Sequence, residues 1–152
     1  MILREITVDD LLTIYEHQHD PEAARMAAFT SRELPAFMEH WKTKILANPT
    51  GCSRVIVEAG QVVGNIVTWT QAEQRLIGYW LGREFWGRGL VSAAVAEFVA
   101  KVDPLRPIDA FVATSNVGSR RVLEKCGFEL VAGSRATGED GIEEVQYRLS
   151  RS

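Results

Sequence analysis

The chain is 152 residues long, 46% hydrophobic and 24% charged, with a formal net charge of −3. Length and composition are those of one globular domain, residues 1–152, whose folded form buries roughly 68–70% of the unfolded surface without a staple. The charge excludes the basic surface that a polyanion such as DNA requires, and no apolar stretch approaches the ~20 residues of a membrane span, so neither nucleic acid nor membrane is expected as a partner.

Ile2, Leu3, Ile6 and Val8 predict a short first strand. The opening Met1-Ile2-Leu3-Arg4-Glu5 runs straight into charge and does not read as a signal peptide, which points to the cytoplasm. Asp9 or Asp10 is placed to cap a helix reaching about His19, with Leu11, Leu12 and Tyr15 on its apolar side. Asp20-Pro21 reads as a break. Ser31 offers a second cap; Leu34, Phe37, Met38, Trp41 and Ile45 follow at helical spacing until Asn48-Pro49-Thr50-Gly51 ends the run.

β-Branched runs at 54–58 and 62–69, joined by Ala59-Gly60-Gln61, predict a hairpin. Leu76 to Leu81 is a third run, apolar enough for a central strand. Val91, Ala94, Val95, Phe98 and Val102 form a helical stripe that Pro104 and Pro107 stop. A strand over 108–114 follows, then a helix capped by Ser115 or Asn116 and closed by Gly127. A last strand pair over 128–134 and 143–149 turns at Glu139-Asp140-Gly141. Cys52 and Cys126 lack the spacing of a metal site, and no metal is expected; one disulfide or two thiols fits their number, and reduced thiols are the expectation.

Between the central strand and the long helix lies Trp86-Gly87-Arg88-Gly89-Leu90. A helix N-terminus offers unpaired N–H groups and a positive dipole end, which suit a phosphate. Glycine lets the backbone approach an anion closely, and Arg88 adds a charge. The same turn also reads as a plain strand-to-helix connection. The phosphate-loop pattern is absent, because no Gly-Lys-Ser/Thr follows. The dinucleotide fingerprint also fails: Ser92 stands where a third Gly or Ala is required, and Asp109 begins a strand where the ribose-binding acid should end one.

Taken in order, three segments resemble the GNAT N-acetyltransferase superfamily, and within it the branch of ribosomal-protein N-terminal acetyltransferase-like proteins. They are Ile77-Gly78-Tyr79-Trp80-Leu81, Glu84-Phe85-Trp86-Gly87-Arg88-Gly89-Leu90, and the run from Asn116-Val117-Gly118-Ser119 to Lys125-Cys126-Gly127-Phe128. The resemblance extends from about Val55 to Leu149. It implies an α+β, GNAT-like acyl-CoA N-acyltransferase fold: a mixed, mostly antiparallel sheet of about seven strands flanked by about four helices, with the fourth and fifth strands splayed. It also implies acetyl-CoA as acyl donor and a primary amine, a protein N-terminus or a small amine, as acceptor that attacks the thioester directly. A monomer and a homodimer are both open.

The cofactor-binding residues implied by the resemblance are the strand backbone at Tyr79, Trp80 and Leu81, then Gly87, Arg88, Gly89, Leu90, Val91 and Ser92 around the pyrophosphate. Asn116 belongs on the pantetheine arm, and Ser119 near the pyrophosphate or the thiol. Arg120 and Arg121 read either as neighbours of the 3′-phosphate or as solvated helix charges. The chain departs from the family at Val91, where Gly or Ala is usual, at Leu123, where many members have a Tyr acid, and at Phe111, where the ribosomal-alanine type has a carboxylate.

Ser119 is left as the candidate acid, directly or through water, and Glu73 as the candidate base; His40 reads as a surface residue. Free α-amines titrate near ~8 and lysines near ~10.4, so a base matters more for a lysine acceptor. A strand N–H suits a developing oxyanion. No covalent enzyme intermediate is needed, so neither cysteine is a candidate nucleophile. Trp69, Tyr79 and Trp80 read as acceptor-pocket walls or as strand aromatics of the core. Residues 10–50, with Arg25-Met26-Ala27-Ala28-Phe29, are expected to lie over the acceptor. Residues 1–50 hold 5 basic and 8 acidic side chains, which favours a cationic amine. Loss of both familiar proton-transfer residues leaves a second function open: an acetyl-CoA-binding sensor or interaction module of the same fold.

Overall fold

The computed structural model of the chain describes residues 1–26 and 32–150. The first strand (β1, Ile2–Arg4) is shorter than its apolar pattern suggests, and Val8–Asp10 forms a single 3-10 turn instead. Asp10 causes this: its carboxylate accepts the Thr7 N–H (2.8 Å) and hydroxyl (3.1 Å), and both terminal nitrogens of Arg4 (2.9 Å each). Helix α1 (Leu11–Gln18) continues from that turn. α1 ends before Asp20-Pro21, as expected of a break, and the same pair starts a further short helix, α2 (Pro21–Met26). Asp20 Oδ1 accepts the N–H of Glu22 (2.9 Å) and Ala23 (3.1 Å), and proline at the first helical position gives up an N–H that needs no partner. The expected cap Ser31, and Ala27, Ala28 and Phe29, lie outside the described residues. Helix α3 (Leu34–His40) follows Glu33 and widens into a π turn over Trp41–Ile45.

Strands β2 (Cys52–Glu58), β3 (Gln61–Gln71), β4 (Gln74–Leu81), β5 (Ile108–Ala113), β6 (Glu129–Leu130), β7 (Ala136–Thr137) and β8 (Glu143–Leu149) join β1 in one sheet. Its order is β1-β2-β3-β4-β5-β8-β6, with β7 also on β8. The expected final hairpin is interrupted: the partner of β8 splits into β6 and β7, and Ser134 Oγ takes the Gln146 N–H (3.1 Å) between them. Every pairing is antiparallel except β4 with β5, which helix α4 (Leu90–Glu97) and its π-turn extension Phe98–Val102 connect. Helix α5 (Val117–Lys125) joins β5 to β6.

Strand alternation sends side chains to two cores. On one face α4 and α5 pack Ala94, Val95, Phe98 and Leu123 against Ile66, Ile77, Ile108 and Tyr147. On the other, α1 and α3 bring Leu11, Ile14, Phe37 and Trp41 onto Val55. Each such large apolar side chain contributes about 1.5–3 kcal/mol relative to exposure. Among the described residues no helix is long and apolar enough to cross a membrane.

The parallel junction is narrow. β4 and β5 pair at Leu76 and Asp109, where Gln74 (2.7 Å) and Arg148 (2.7 Å) donate to the Asp109 carboxylate. Burial pushes the Asp109 pKa up, but the hydrogen bonds from Arg148 and Gln74 outweigh it, and the net value lies below the ordinary carboxylate range. A carboxylate with a depressed folded pKa stabilises the fold fully above its unfolded value of ~3.9, and that contribution disappears as pH falls through the folded value. Asp109→Asn is therefore expected to lower the urea midpoint at neutral pH and to flatten its decline below pH ~4. Identical acid slopes in variant and parent would refute this assignment.

Candidate functional site

Beyond Leu76 and Asp109 the two strands part, and the edge of β4 is left facing a gap. Gly82 N–H donates to Val63 O across the β3 ladder (2.8 Å). The alternation of an antiparallel pair then turns Trp80 toward β3 and leaves the N–H and C=O of Tyr79 and Leu81 aimed into the gap. Trp86 occupies one of these: its indole donates to Leu81 O (3.1 Å) and pins the following loop to the strand end.

That loop ends in Gly87 and Gly89, at φ +80° and +73°, in the left-handed region that suits glycine. A Cβ at Gly87 would meet no neighbour, so the backbone stands open to a ligand. Gly89 caps α4, and Ala93 N–H is the first to bond back, to Gly89 O (3.1 Å). The N–H groups of Leu90, Val91 and Ser92 thus form the open first turn. Leu90 sends its side chain into the core, and the Arg88 guanidinium lies over the Phe85 ring, 5.7 Å from its centre.

A cavity of about 270 Å³ lies in this corner. β4 contributes Tyr79, Trp80 and Leu81; the loop contributes Trp86 and Gly87; and Val91, Asn116, Ser119 and Val122 face them, with Ala23 and Met26 of α2 above. A second cavity of about 200 Å³ occupies the gap between β4 and β5, and Tyr79, Trp80, Asn116 and Ser119 line both. The second cavity reaches Phe111, Ala113 and Glu144. Phe111 lies between Ala110 and Val112, which belong to the α4–α5 core, so it points to the opposite face of the sheet. Glu144 pairs with Ala113 across the β5–β8 ladder and shares that face. The sheet is therefore open from one side to the other at Tyr79 and Ser119.

At this meeting point the Tyr79 hydroxyl lies 2.7 Å from Ser119 Oγ and 3.2 Å from Ser119 O. Burial pushes the Tyr79 phenol above its ordinary value, against the opposing effect of the Ser119 hydrogen bond, so it stays protonated and serves as a donor. Asn116 Oδ1 caps α5 by accepting the Ser119 N–H (3.2 Å), which leaves its amide NH2 for another partner.

Among the residues expected to form the site, the structure brings Tyr79, Trp80, Leu81, Gly87, Val91, Asn116 and Ser119 to one cavity, while Arg88, Gly89, Leu90 and Ser92 occupy the loop and first turn beside it. Glu73 is not brought there. It sits at φ +65° in the β3–β4 turn, at the closed end of β4, and Tyr79 is six positions further along the strand, about 20 Å away. Its nearness in sequence to the central strand is nearness to the wrong end. Arg120 is also redirected, to Tyr147 Oη (3.1 Å) and Thr114 O (3.2 Å). Leu123, at the usual Tyr position, is buried in the core. Two features escape sequence reading: the Tyr79 hydroxyl as partner of Ser119, and Glu144. Glu144 is brought there by the pairing of β5 with β8, which belongs to the fold and has no local signal in the sequence.

A family model described as an acetyltransferase (GNAT) domain matches residues 1–129. No curated protein matches the chain. Among solved structures, the aminoglycoside acetyltransferase AAC(6')-Ib, in its complex with acetyl-CoA, is 23% identical with a TM-score of 0.81, over 98% of this chain and 92% of that one. A GNAT-family acetyltransferase from Bacillus anthracis is 18% identical with a TM-score of 0.77, over 97% and 93%. The microcin C7 self-immunity acetyltransferase MccE, in complex with acetyl-CoA and AMP, is 17% identical with a TM-score of 0.77, over 97% and 91%. At these identities the likeness is one of fold.

Proposed function

The chain belongs to the acetyltransferase (GNAT) domain family, and on that premise we propose that residues 1–152 act as one enzyme transferring an acetyl group from acetyl-CoA to a primary amine. The observation that carries the proposal is the opening through the sheet: two cavities, one beside a helix N-terminus and one on the far side, meet at Tyr79 and Ser119. A donor and an acceptor that never share a face of the sheet can still react there. The donors of AAC(6')-Ib and MccE, acetyl-CoA in both, favour the same donor here.

The residues fit acetyl-CoA in kind. The strand edge at Tyr79, with the Leu81 N–H beside it, suits an amide-bearing pantetheine arm. The open amides of Leu90, Val91 and Ser92, approached past Gly87, suit a pyrophosphate. Acetyl-CoA supplies the acetyl group as an activated thioester. The amine loses one proton to solvent, attacks the thioester carbonyl and displaces the sulfur; Ser119 Oγ–H is the group placed to protonate that sulfur and to take back the second proton the nitrogen loses, and Tyr79 Oη, 2.7 Å away, holds Ser119 Oγ in place. The N–H groups that β4 turns into the gap are the donors for negative charge on the reacting carbonyl oxygen. A protein N-terminus, the acceptor of the ribosomal-protein branch, and a small amine both remain within the proposal, as do a cytoplasmic location and a monomer or homodimer.

Purified protein with acetyl-CoA and a panel of primary amines is expected to release free thiol in an acceptor-dependent manner. Binding of acetyl-CoA with no thiol released by any amine would replace the enzyme with the sensor reading. Failure to bind acetyl-CoA would remove both.

A further inference from the structure

The cavity on the far side of the sheet has a composition that selects among amines; this inference rests on the acetyltransferase reading above. Of the described residues lining it, Glu144 is the one with a charged side chain. The other carboxylates nearby are engaged: Asp109 with Arg148 (2.7 Å), and Glu143 with the Thr114 hydroxyl (3.0 Å) and Arg135 (3.6 Å). Glu144 itself is exposed at the rim. Phe111 stands beside it with 48% of its surface exposed, and Trp80 forms part of the opposing wall. The polar groups Tyr79, Asn116 and Ser119 lie where the two cavities meet, and apart from Glu144 the other described lining residues carry no polar side chain except the Trp80 indole N–H, which donates to His17 O.

We infer that the acceptor is a primary amine with a single positive charge carried on an apolar or aromatic group. Glu144 pairs with the entering ammonium, which gives up one proton to solvent before it attacks, and Phe111 and Trp80 cover the body to which it is attached. One carboxylate neutralises one ammonium, and the aromatic faces add attraction to a single desolvated cation. A polycation such as an aminoglycoside would lose water from several charges and find one partner. The chemistry is the same whether the amine is a free arylalkylamine or the first residue of a peptide with an apolar side chain.

The test measures thiol release from acetyl-CoA at neutral pH with four acceptors: 2-phenylethylamine, a tripeptide beginning with Phe, kanamycin, and aniline, which is uncharged. The first two are expected to exceed kanamycin in kcat/KM by about tenfold or more, the value of one charge-assisted hydrogen bond, and their order identifies the free amine or the peptide as the source. Glu144→Gln is expected to reduce kcat/KM for 2-phenylethylamine about tenfold more than for aniline. Equal losses for the charged and uncharged acceptors, or a preference for kanamycin, would overturn the inference and leave the enzyme standing. Absence of thiol release with every one of the acceptors would remove the enzyme and the inference together, and retained acetyl-CoA binding by the variant shows that it is folded.

Discussion

Replacing Asp103 by alanine is expected to destabilise the protein by about 3–5 kcal/mol, the range for breaking a buried ion pair from one side. Asp103 follows the π-turn extension of α4 and is 1% exposed; Arg75, on β4, is 8% exposed. Arg75 reaches the carboxylate at 2.7 Å, and the Thr68 hydroxyl donates to it at 2.6 Å. The opposite carboxylate oxygen accepts the Leu105 N–H (3.2 Å), so one side chain ties the end of α4 to β3 and β4. Without it the guanidinium keeps the Thr68 and Thr70 hydroxyls but no negative charge, at a depth where water cannot replace it. Asp103→Asn keeps the shape and one acceptor oxygen, and is expected to lose less. Urea unfolding of both variants decides the matter. A loss below ~1 kcal/mol for the alanine variant would mean that Arg75 finds solvent and that the network is a surface pair. Arg75 adjoins Leu76, the residue at which β4 and β5 pair, so a variant that survives this loss should also bind acetyl-CoA less well, because the gap opens from that point.

Helix positions were the most legible part of the sequence, since spacing of apolar residues and cap chemistry are local. Asn116 reads as a cap from its own neighbourhood, and it accepts the Ser119 N–H as a cap should. Local chemistry is incomplete where one pair of residues supports two outcomes: Asp20-Pro21 ends a helix by one rule and begins one by another, and here it stands between α1 and α2 and does both. The gap in the sheet was not visible in spacing at all. A strand that pairs at Leu76 and stands open at Tyr79 and Leu81 has the same apolar pattern as one paired throughout, so the splay was legible only by resemblance. Glu73 lies away from the gap, and Glu144 escapes sequence reading, for one shared reason. Proximity in sequence is a poor guide to proximity in space, because an extended strand carries its two ends about 3.3 Å per residue apart, and its true neighbours lie on other strands. The carboxylate that the family pattern leads one to expect at Phe111 is missing from β5, and a carboxylate stands instead on β8, opposite Ala113.

Ser119→Ala is expected to lower kcat by about 10²–10⁴-fold, the usual contribution of a positioned proton donor, with a far smaller change in acetyl-CoA affinity. The hydroxyl is one atom beyond a well-ordered helix start, so alanine keeps the cap, because the N–H that Asn116 accepts belongs to the backbone. Tyr79→Phe removes the group that holds Ser119 Oγ (2.7 Å) without altering the ring that forms the cavity wall. Its loss is that of one hydrogen bond, about 1 kcal/mol, or roughly five- to tenfold in kcat. The two effects should not add: once Ser119 is alanine, Tyr79 has lost its task, and the double variant should resemble Ser119→Ala alone. The pH profile separates this relay from a Tyr acting by ionisation. Burial pushes the Tyr79 phenol above its ordinary value of ~10, so Tyr79 keeps its proton throughout the alkaline limb of activity. The limb should therefore persist in Tyr79→Phe at reduced kcat. Its disappearance there would show that Tyr79 itself titrates in turnover, and additive losses in the double variant would show that the two hydroxyls act apart.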